Sequence, residues 1–180
     1  MVDYGMGAYK EVVSAPLAQY ETVEEIDASY TWPSADWFDY SGIADQVKGK
    51  DGYPVRGGGS EPFLIYATLR GREQAYVDLM LNPEIVHDCL DKLFNLADEN
   101  TCRIYEQIPG RVDLSYVAED FGGQSSLLFS PDTIRTFFIP RIPIMSSMSP
   151  PPPSDIIRYG STQELSSPEA SSAMKVASFS

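Results

Sequence analysis

The sequence predicts an incomplete α/β unit, and three observations lead to this fold class. Residues 63–69 form a short, nearly continuous apolar run, which is typical of a strand buried on both faces of a parallel sheet. Residues 112–118 indicate a second strand. Helix signals lie between and after these two runs. The resulting order of strand, helix, strand, helix is the order that parallel α/β folds use.

The best-defined helix is predicted to begin at Asn82 and Pro83, a capping residue followed by a first-turn proline, and to end before Gly110. Its apolar positions recur with helical spacing. They are Val86, Leu90, Leu93, Ala97, Ile104 and Ile108.

Shorter helices are predicted at both ends of this region. Thr22 and Glu25 match a capping box, and Asp36 could cap a short turn after Pro33. A further helix is predicted at Ser130 and Pro131. The glycine-rich residues 56–60 precede a predicted strand instead of following one, so we expect a flexible connector and not a phosphate loop.

The composition changes near Arg141. Residues 1–141 contain mixed charges and periodic apolar residues, whereas residues 142–180 are rich in Ser, Ala and Pro. We expect a disordered C-terminal tail. The four prolines 150–153 leave open that this tail is a proline-rich recognition ligand.

Charge and hydropathy limit the partners. The chain has 180 residues, 43% of them hydrophobic, which suffices for one core. A formal net charge of -13 repels nucleic acid and acidic membrane surfaces, so neither is an expected partner. No apolar stretch reaches the length of about 20 residues that spans a bilayer, and no leader is recognisable. We therefore expect a cytoplasmic protein.

The sequence offers few metal ligands. Cys89 and Cys102 are predicted to lie on one helix, about 20 Å apart, so we expect two reduced thiols. His87 is the only histidine. With no second histidine and no Cys-x-x-Cys pair, no metal site is predicted.

The strongest candidates for chemistry are Glu119 and Asp120, which follow the second predicted strand. Functional groups of α/β barrels gather at such strand ends. Two adjacent carboxylates in a partly dry site would repel each other and raise one pKa, so that one could act as a general acid while the other stays ionised. Structural capping of the following segment is the alternative.

Three further residues are candidates for substrate binding. Gln124 offers a donor and an acceptor next to a glycine pair that a turn explains equally well. Arg70 could bind a carboxylate or phosphate at a helix start, although pairing with Glu73 or Asp78 is the alternative. Tyr66 could face either the interior or the helices, with core packing favoured.

Several motifs together resemble the uroporphyrinogen decarboxylase family. They cover most of residues 1–141 and none of the tail. The motifs are Pro16-Leu17-Ala18-Gln19-Tyr20-Glu21-Thr22-Val23-Glu24-Glu25-Ile26, Trp32-Pro33, Leu64-Ile65-Tyr66-Ala67-Thr68-Leu69-Arg70-Gly71, Asn82-Pro83-Glu84-Ile85-Val86-His87, Val117-Ala118-Glu119-Asp120-Phe121-Gly122-Gly123-Gln124 and Leu127-Leu128-Phe129-Ser130-Pro131.

This resemblance implies a (β/α)₈ barrel and one of two activities. The first is cofactor-free decarboxylation of the acetate arms of uroporphyrinogen, in porphyrin and haem biosynthesis. The second is methyl transfer between a corrinoid and a thiol that zinc activates. The parent enzyme would accordingly act on a small-molecule substrate, and its partner would be a second copy of itself or a corrinoid protein.

The sequence also departs from the family pattern. Ala67 stands where the decarboxylases keep a tyrosine, with Tyr66 beside it, and Asp120 stands in the loop where they carry a serine. The Glu-Asp-x-Gly-x-Gln form is closer to the methyltransferase-like branch. The decarboxylases' arginine segment and key aspartate would precede Met1, and the zinc ligands of the methyltransferases would follow residue 141.

Length gives an independent expectation. A closed barrel takes about 250 residues, and only about 140 here have foldable character. We therefore expect a partial barrel from a truncated or frame-shifted reading frame, inactive alone and requiring no cofactor within this chain. The alternative from another class is a non-catalytic remnant with an exposed sheet edge.

Overall fold

The structure, a computed structural model, describes residues 2–3, 8–9, 14–116 and 119–142, and these are mostly helical. The predicted tail lies outside them apart from Ile142. The helices and strands, in chain order, are β1 (Val2–Asp3), β2 (Ala8–Tyr9), α1 (Val23–Ser29), a 3₁₀ turn (Ala35–Trp37), α2 (Ile43–Val47), α3 (Pro62–Arg70), α4 (Arg72–Leu81), α5 (Pro83–Gln107), α6 (Pro131–Thr133) and a π-helical turn (Ile134–Phe138). No helix in these ranges is long and apolar enough to cross a membrane.

Helix α5 is the centre of the structure, and its prediction is confirmed. It runs for 25 residues from Pro83, which needs no hydrogen-bond partner at the first helical position. Asn82 precedes it, although its side chain bonds to Asp78 instead of capping. One face of α5 is buried against α3, α4 and the segment 130–142. That face includes Ile85, Val86, Cys89, Leu90, Leu93, Phe94 and Ala97.

The strand predicted at residues 63–69 is wrong, because these residues form helix α3. Phe63, Tyr66, Ala67 and Arg70 are buried at positions i, i+3, i+4 and i+7, which is one face of a helix. A continuous apolar run has no period of its own, so it fits a buried helix as well as a buried strand. Pro62 at the first position and packing against α4 and α5 favour the helix.

The second predicted strand, residues 112–118, is reduced to a single parallel bridge between Leu114 and Arg56. Asp113 N–H donates to Val55 C=O at 2.9 Å, and Gly57 N–H donates to Leu114 C=O at 3.0 Å. Val117 and Ala118 lie outside the described residues. The bridge is parallel, but the partner of Leu114 is Arg56, which precedes the apolar run at residues 63–69. Within the described ranges this pairing does not extend to a barrel.

The glycine-rich segment is not the flexible connector that was predicted, because it packs closely against α5 and the segment after it. A Cβ at Gly58 would lie 2.5 Å from Thr101 Oγ1, and a Cβ at Gly59 would lie 2.6 Å from the Tyr116 carbonyl oxygen. Gly58 also has a φ of +75°, which L-residues rarely adopt. The glycines therefore permit the chain to run directly over α5.

Local capping signals are confirmed at two helices. Glu25 N–H donates to Thr22 Oγ1 at 3.2 Å, and Glu25 Oε2 accepts from Glu21 N–H, one residue before the cap. Ser130 caps α6 through Thr133 N–H at 3.0 Å. At the 3₁₀ turn the expectation for Asp36 is wrong, because Ser34 is the capping residue.

A buried ion pair joins α3 to α4. Arg70 Nε donates to Asp78 Oδ2 at 2.6 Å, and both side chains are almost fully buried. Tyr66 OH also donates to Oδ2, and the amides of Gln74 and Asn82 donate to Oδ1. Burial opposes ionisation of Asp78, but these four donors outweigh it and lower the pKa of Asp78 below its ordinary value.

We expect Asp78→Asn to lower the free energy of unfolding by on the order of 3 kcal/mol, because it leaves the buried Arg70 cation without a counter-ion. Urea denaturation followed by circular dichroism at pH 7 measures this. Asp51→Asn, at an exposed turn, is the matched control and should stay close to wild type. Equal stability of the two variants would contradict the prediction.

Gly58→Ala should lower the free energy of unfolding by about 2 kcal/mol, because alanine is strained at a positive φ and its Cβ would clash with Thr101. Gly52→Ala is the control, since a Cβ there meets nothing within 4 Å. Thermal unfolding of both variants compares them. A Gly58 variant as stable as the Gly52 variant would show that the segment is loosely held.

Candidate functional site

The predicted acidic pair lies on a cleft of about 490 Å³ between α3, α4, Tyr116 and residues 119–128. The cleft combines charged and phenolic groups with apolar side chains. It is lined by Glu61, Phe63, Leu64, Ala67, Arg72, Tyr76, Tyr116, Glu119, Asp120 and Leu128.

Glu119 is held against the start of α3. Its Oε1 accepts a hydrogen bond from Phe63 N–H at 2.7 Å, and the Leu64 N–H also contributes. The first amides of a helix have no partner within the helix, so Glu119 acts as a cap supplied from 56 residues away. Structural capping was the alternative role expected for Glu119. The structure shows such a cap, but it acts on α3 and not on the segment that follows Glu119.

Glu119 also has an unusual acidity. Its pKa is raised to about 7, mainly by burial and in smaller part by nearby Glu61, whereas the amides of Phe63 and Leu64 oppose the shift. Repulsion from Asp120, the expected cause, is not among these influences. A carboxyl group that titrates near neutral pH can both release and accept a proton under ordinary conditions.

Asp120 differs from its neighbour because it is exposed. Its Oδ1 accepts from Gly122 N–H at 3.3 Å, which forms a tight local turn. The two adjacent carboxyl groups thus occupy different surroundings, one partly buried and one open to solvent. The cleft therefore holds the partly buried carboxyl group of Glu119, whose pKa is about 7, beside the exposed carboxyl group of Asp120.

Two residues that sequence reasoning missed complete this wall. Tyr116 OH donates to Glu61 Oε1 at 2.8 Å, and the Arg56 guanidinium lies 4.5 Å from the centre of the Tyr116 ring. The bond to Glu61 is the main reason that the pKa of Tyr116 is raised. No local pattern marks these residues, since Glu61 and Tyr116 are 55 positions apart in the chain.

The opposite wall belongs to α4. Arg72 is exposed at the first position of α4 and makes no ion pair with any other described residue. Tyr76 stacks on Phe129, with ring centres 5.4 Å apart. Arg72, two residues after Arg70, lines the cleft, whereas Arg70 does not.

The other sequence candidates lie elsewhere. Gln124 is exposed in the turn between Gly122 and Leu127, which form an antiparallel bridge, and it does not line the cleft. Tyr66 and Arg70 belong to the buried cluster around Asp78. Arg70 also donates to the carbonyls of Leu17 and Tyr20, so its donors are used within the core.

Comparison with known proteins found no matching family model, no matching curated protein and no matching solved structure. Among the residues that the structure describes, no group of three or more His, Cys, Asp or Glu side chains is arranged to hold a metal ion. Cys89 and Cys102 are both free thiols.

The acidity of Glu119 predicts a pH-dependent stability. Its pKa rises from 4.5 when unfolded to about 7 when folded, so the unfolded state loses its proton first as the pH increases. The free energy of unfolding should fall by on the order of 2 kcal/mol between pH 4.5 and pH 7, and then level off.

Urea denaturation at several pH values, compared between wild type and Glu119→Gln, measures this contribution. The glutamine keeps an oxygen that accepts from Phe63 N–H but does not titrate, so the fall attributed to Glu119 should vanish. Glu84→Gln, at an exposed position, is the control. The same pH slope in wild type and Glu119→Gln would refute the assignment.

Proposed function

We propose that this chain is part of a (β/α)₈ barrel enzyme of the uroporphyrinogen decarboxylase family and that the cleft is its substrate site. The observation that carries the proposal is Glu119, whose carboxyl group has a pKa near 7 and lies in a cleft beside Asp120. The parallel bridge between Arg56 and Leu114 also supports it, since parallel pairing with helical crossovers is the unit of such barrels.

The cleft residues suit decarboxylation of an acetate arm. When the bond between the arm's CH₂ carbon and its carboxylate breaks, CO₂ leaves and the electron pair stays with the carbon, which must then take a proton. Glu119 in its neutral form is the proton donor in this proposal. Arg72 would pair with a carboxylate arm, and Asp120 would accept hydrogen bonds from pyrrole N–H groups.

The second candidate is a remnant that binds without catalysis. Leu128, which lines the cleft, is close to half exposed, and so are Leu114 and Leu127 in the same part of the chain. This observation favours a chain that holds one wall of the site and does not turn over substrate alone.

Uroporphyrinogen binding to the purified chain, measured by anaerobic calorimetry at pH 7, tests the proposal. Arg72→Gln and Asp120→Asn should each weaken binding about tenfold, or about 1.4 kcal/mol, from the loss of one charged hydrogen-bonding group. Arg135→Gln, on the exposed face of the π-helical turn, should bind like wild type.

Chromatography of the products separates the two candidates. Release of coproporphyrinogen by the chain supports the enzyme, whereas binding without product supports the remnant. Absence of binding, or binding that Arg72→Gln and Asp120→Asn leave unchanged, would overturn the proposal that this cleft is the substrate site.

A further inference from the structure

Arg141 fastens the segment of residues 130–142 to α5. Its side chain is almost fully buried. Nε donates to Asp91 Oδ1 at 2.7 Å, and Nη1 donates to the carbonyl of Phe137 at 2.7 Å. Nη2 lies 3.1 Å from His87 Nδ1 and donates to the His87 carbonyl at 3.2 Å. One guanidinium therefore joins the end of the segment to two residues of α5.

The contact with His87 sets the protonation state of the imidazole. A guanidinium has only donors, so Nδ1 of His87 must accept and the ring must be neutral, with its proton on Nε2. The ring also stacks on Phe137, with ring centres 4.6 Å apart. A second proton on this imidazole would remove the acceptor and place two cations against each other.

The fastened segment supports the cleft. Phe138 follows Phe137 in the π-helical turn, and its ring centre lies 5.5 Å from that of Phe63 and 4.9 Å from that of Phe121. Phe63 provides the amide that Glu119 accepts from, and Phe121 follows Asp120 directly. Release of the segment would therefore loosen the acidic wall of the cleft.

We propose that His87 and Arg141 form an acid-sensitive latch: neutral His87 holds the segment 130–142 on α5, and protonation of His87 releases it. The latch itself stands on the contacts of Arg141. Its effect on substrate, a regulation of the proposed site, rests on the proposed function.

Among the residues that the structure describes, the charged groups that act on His87 are Arg141 from the segment and Asp91 from α5. Burial lowers the pKa of His87 below 6.5, and Arg141 lowers it further, whereas Asp91 opposes the shift. A lowered folded-state pKa means that docking of the segment is complete above pH 6.5 and weakens as the pH falls below it. Titration of Glu119 makes the whole chain more stable as the pH falls, which is opposite to the effect of His87. The test therefore needs a measurement at His87 and the segment themselves.

Nuclear magnetic resonance of the full chain provides that readout. The single histidine should titrate below pH 6.5 and carry its proton on Nε2. Amide protection at Ile134–Phe138, corrected for the intrinsic exchange rate, should fall about tenfold between pH 7.5 and pH 5.5. Protection at Leu93 and Phe94, in the middle of α5, is the internal control.

His87→Phe keeps a ring to stack on Phe137 but cannot titrate, so protection of the segment should lose its pH dependence. If that variant does not fold, His87→Asn replaces it, since its side-chain oxygen can accept from Arg141 and does not titrate. Equal pH dependence in wild type and the folded variant would overturn the latch. A histidine that titrates at or above pH 6.5, or that carries its proton on Nδ1, would overturn it as well.

The link to the cleft is measured separately, by comparing uroporphyrinogen binding at pH 7.5 and pH 5.5 in wild type and the His87 variant. Weaker binding at pH 5.5 in wild type alone supports regulation of the site. Release of the segment with unchanged binding overturns that regulation but leaves the cleft as the substrate site. Absence of binding at both pH values overturns the proposed function and leaves the latch intact.

Discussion

The buried pair of Arg70 and Asp78 is the interaction on which the arrangement of helices depends. Both carboxylate oxygens of Asp78 accept hydrogen bonds, from side chains of α3, of α4 and of Asn82. Arg70 also donates to the carbonyls of Leu17 and Tyr20, which precede α1. A charge in the core costs several kcal/mol unless it is paired and hydrogen-bonded, so alternative packings of these elements are disfavoured. The pair therefore fixes how α3 lies against α4 and against the segment before α1.

That arrangement brings the cleft together. Phe63 at the start of α3 packs edge-on against Tyr76 of α4, with ring centres 5.5 Å apart, and both line the cleft together with Glu61 and Arg72. Glu119 then binds the free amides of α3, although burial makes its charged form unfavourable. Burial favours the neutral form of Glu119, whereas the amides of Phe63 and Leu64 favour its charged form, and the balance leaves its pKa at about 7.

Local sequence signals predicted part of this structure correctly. The capping bonds of Thr22 and Ser130 and the fixed backbone angle of Pro83 each act within a few residues, so they favour a helix start wherever the helix lies. The apolar run at residues 63–69 was misassigned because it has no period, and only its packing against α4 and α5 distinguishes helix from strand. Of the candidate site, sequence position identified Glu119 and Asp120, whereas Glu61 and Tyr116 meet only through the fold.

By itself, the sequence determined the acidic character of the chain, the long helix α5 and its buried face, and the adjacency of Glu119 to Asp120. These properties depend on composition and on contacts a few residues apart. The tertiary structure alone decided that Tyr66 and Arg70 serve the core while Arg72 reaches the cleft, and that Glu119 is partly buried while Asp120 is exposed. The reason is that burial and partners from distant segments set the role and acidity of a side chain, and neither is a property of its immediate neighbours in the chain.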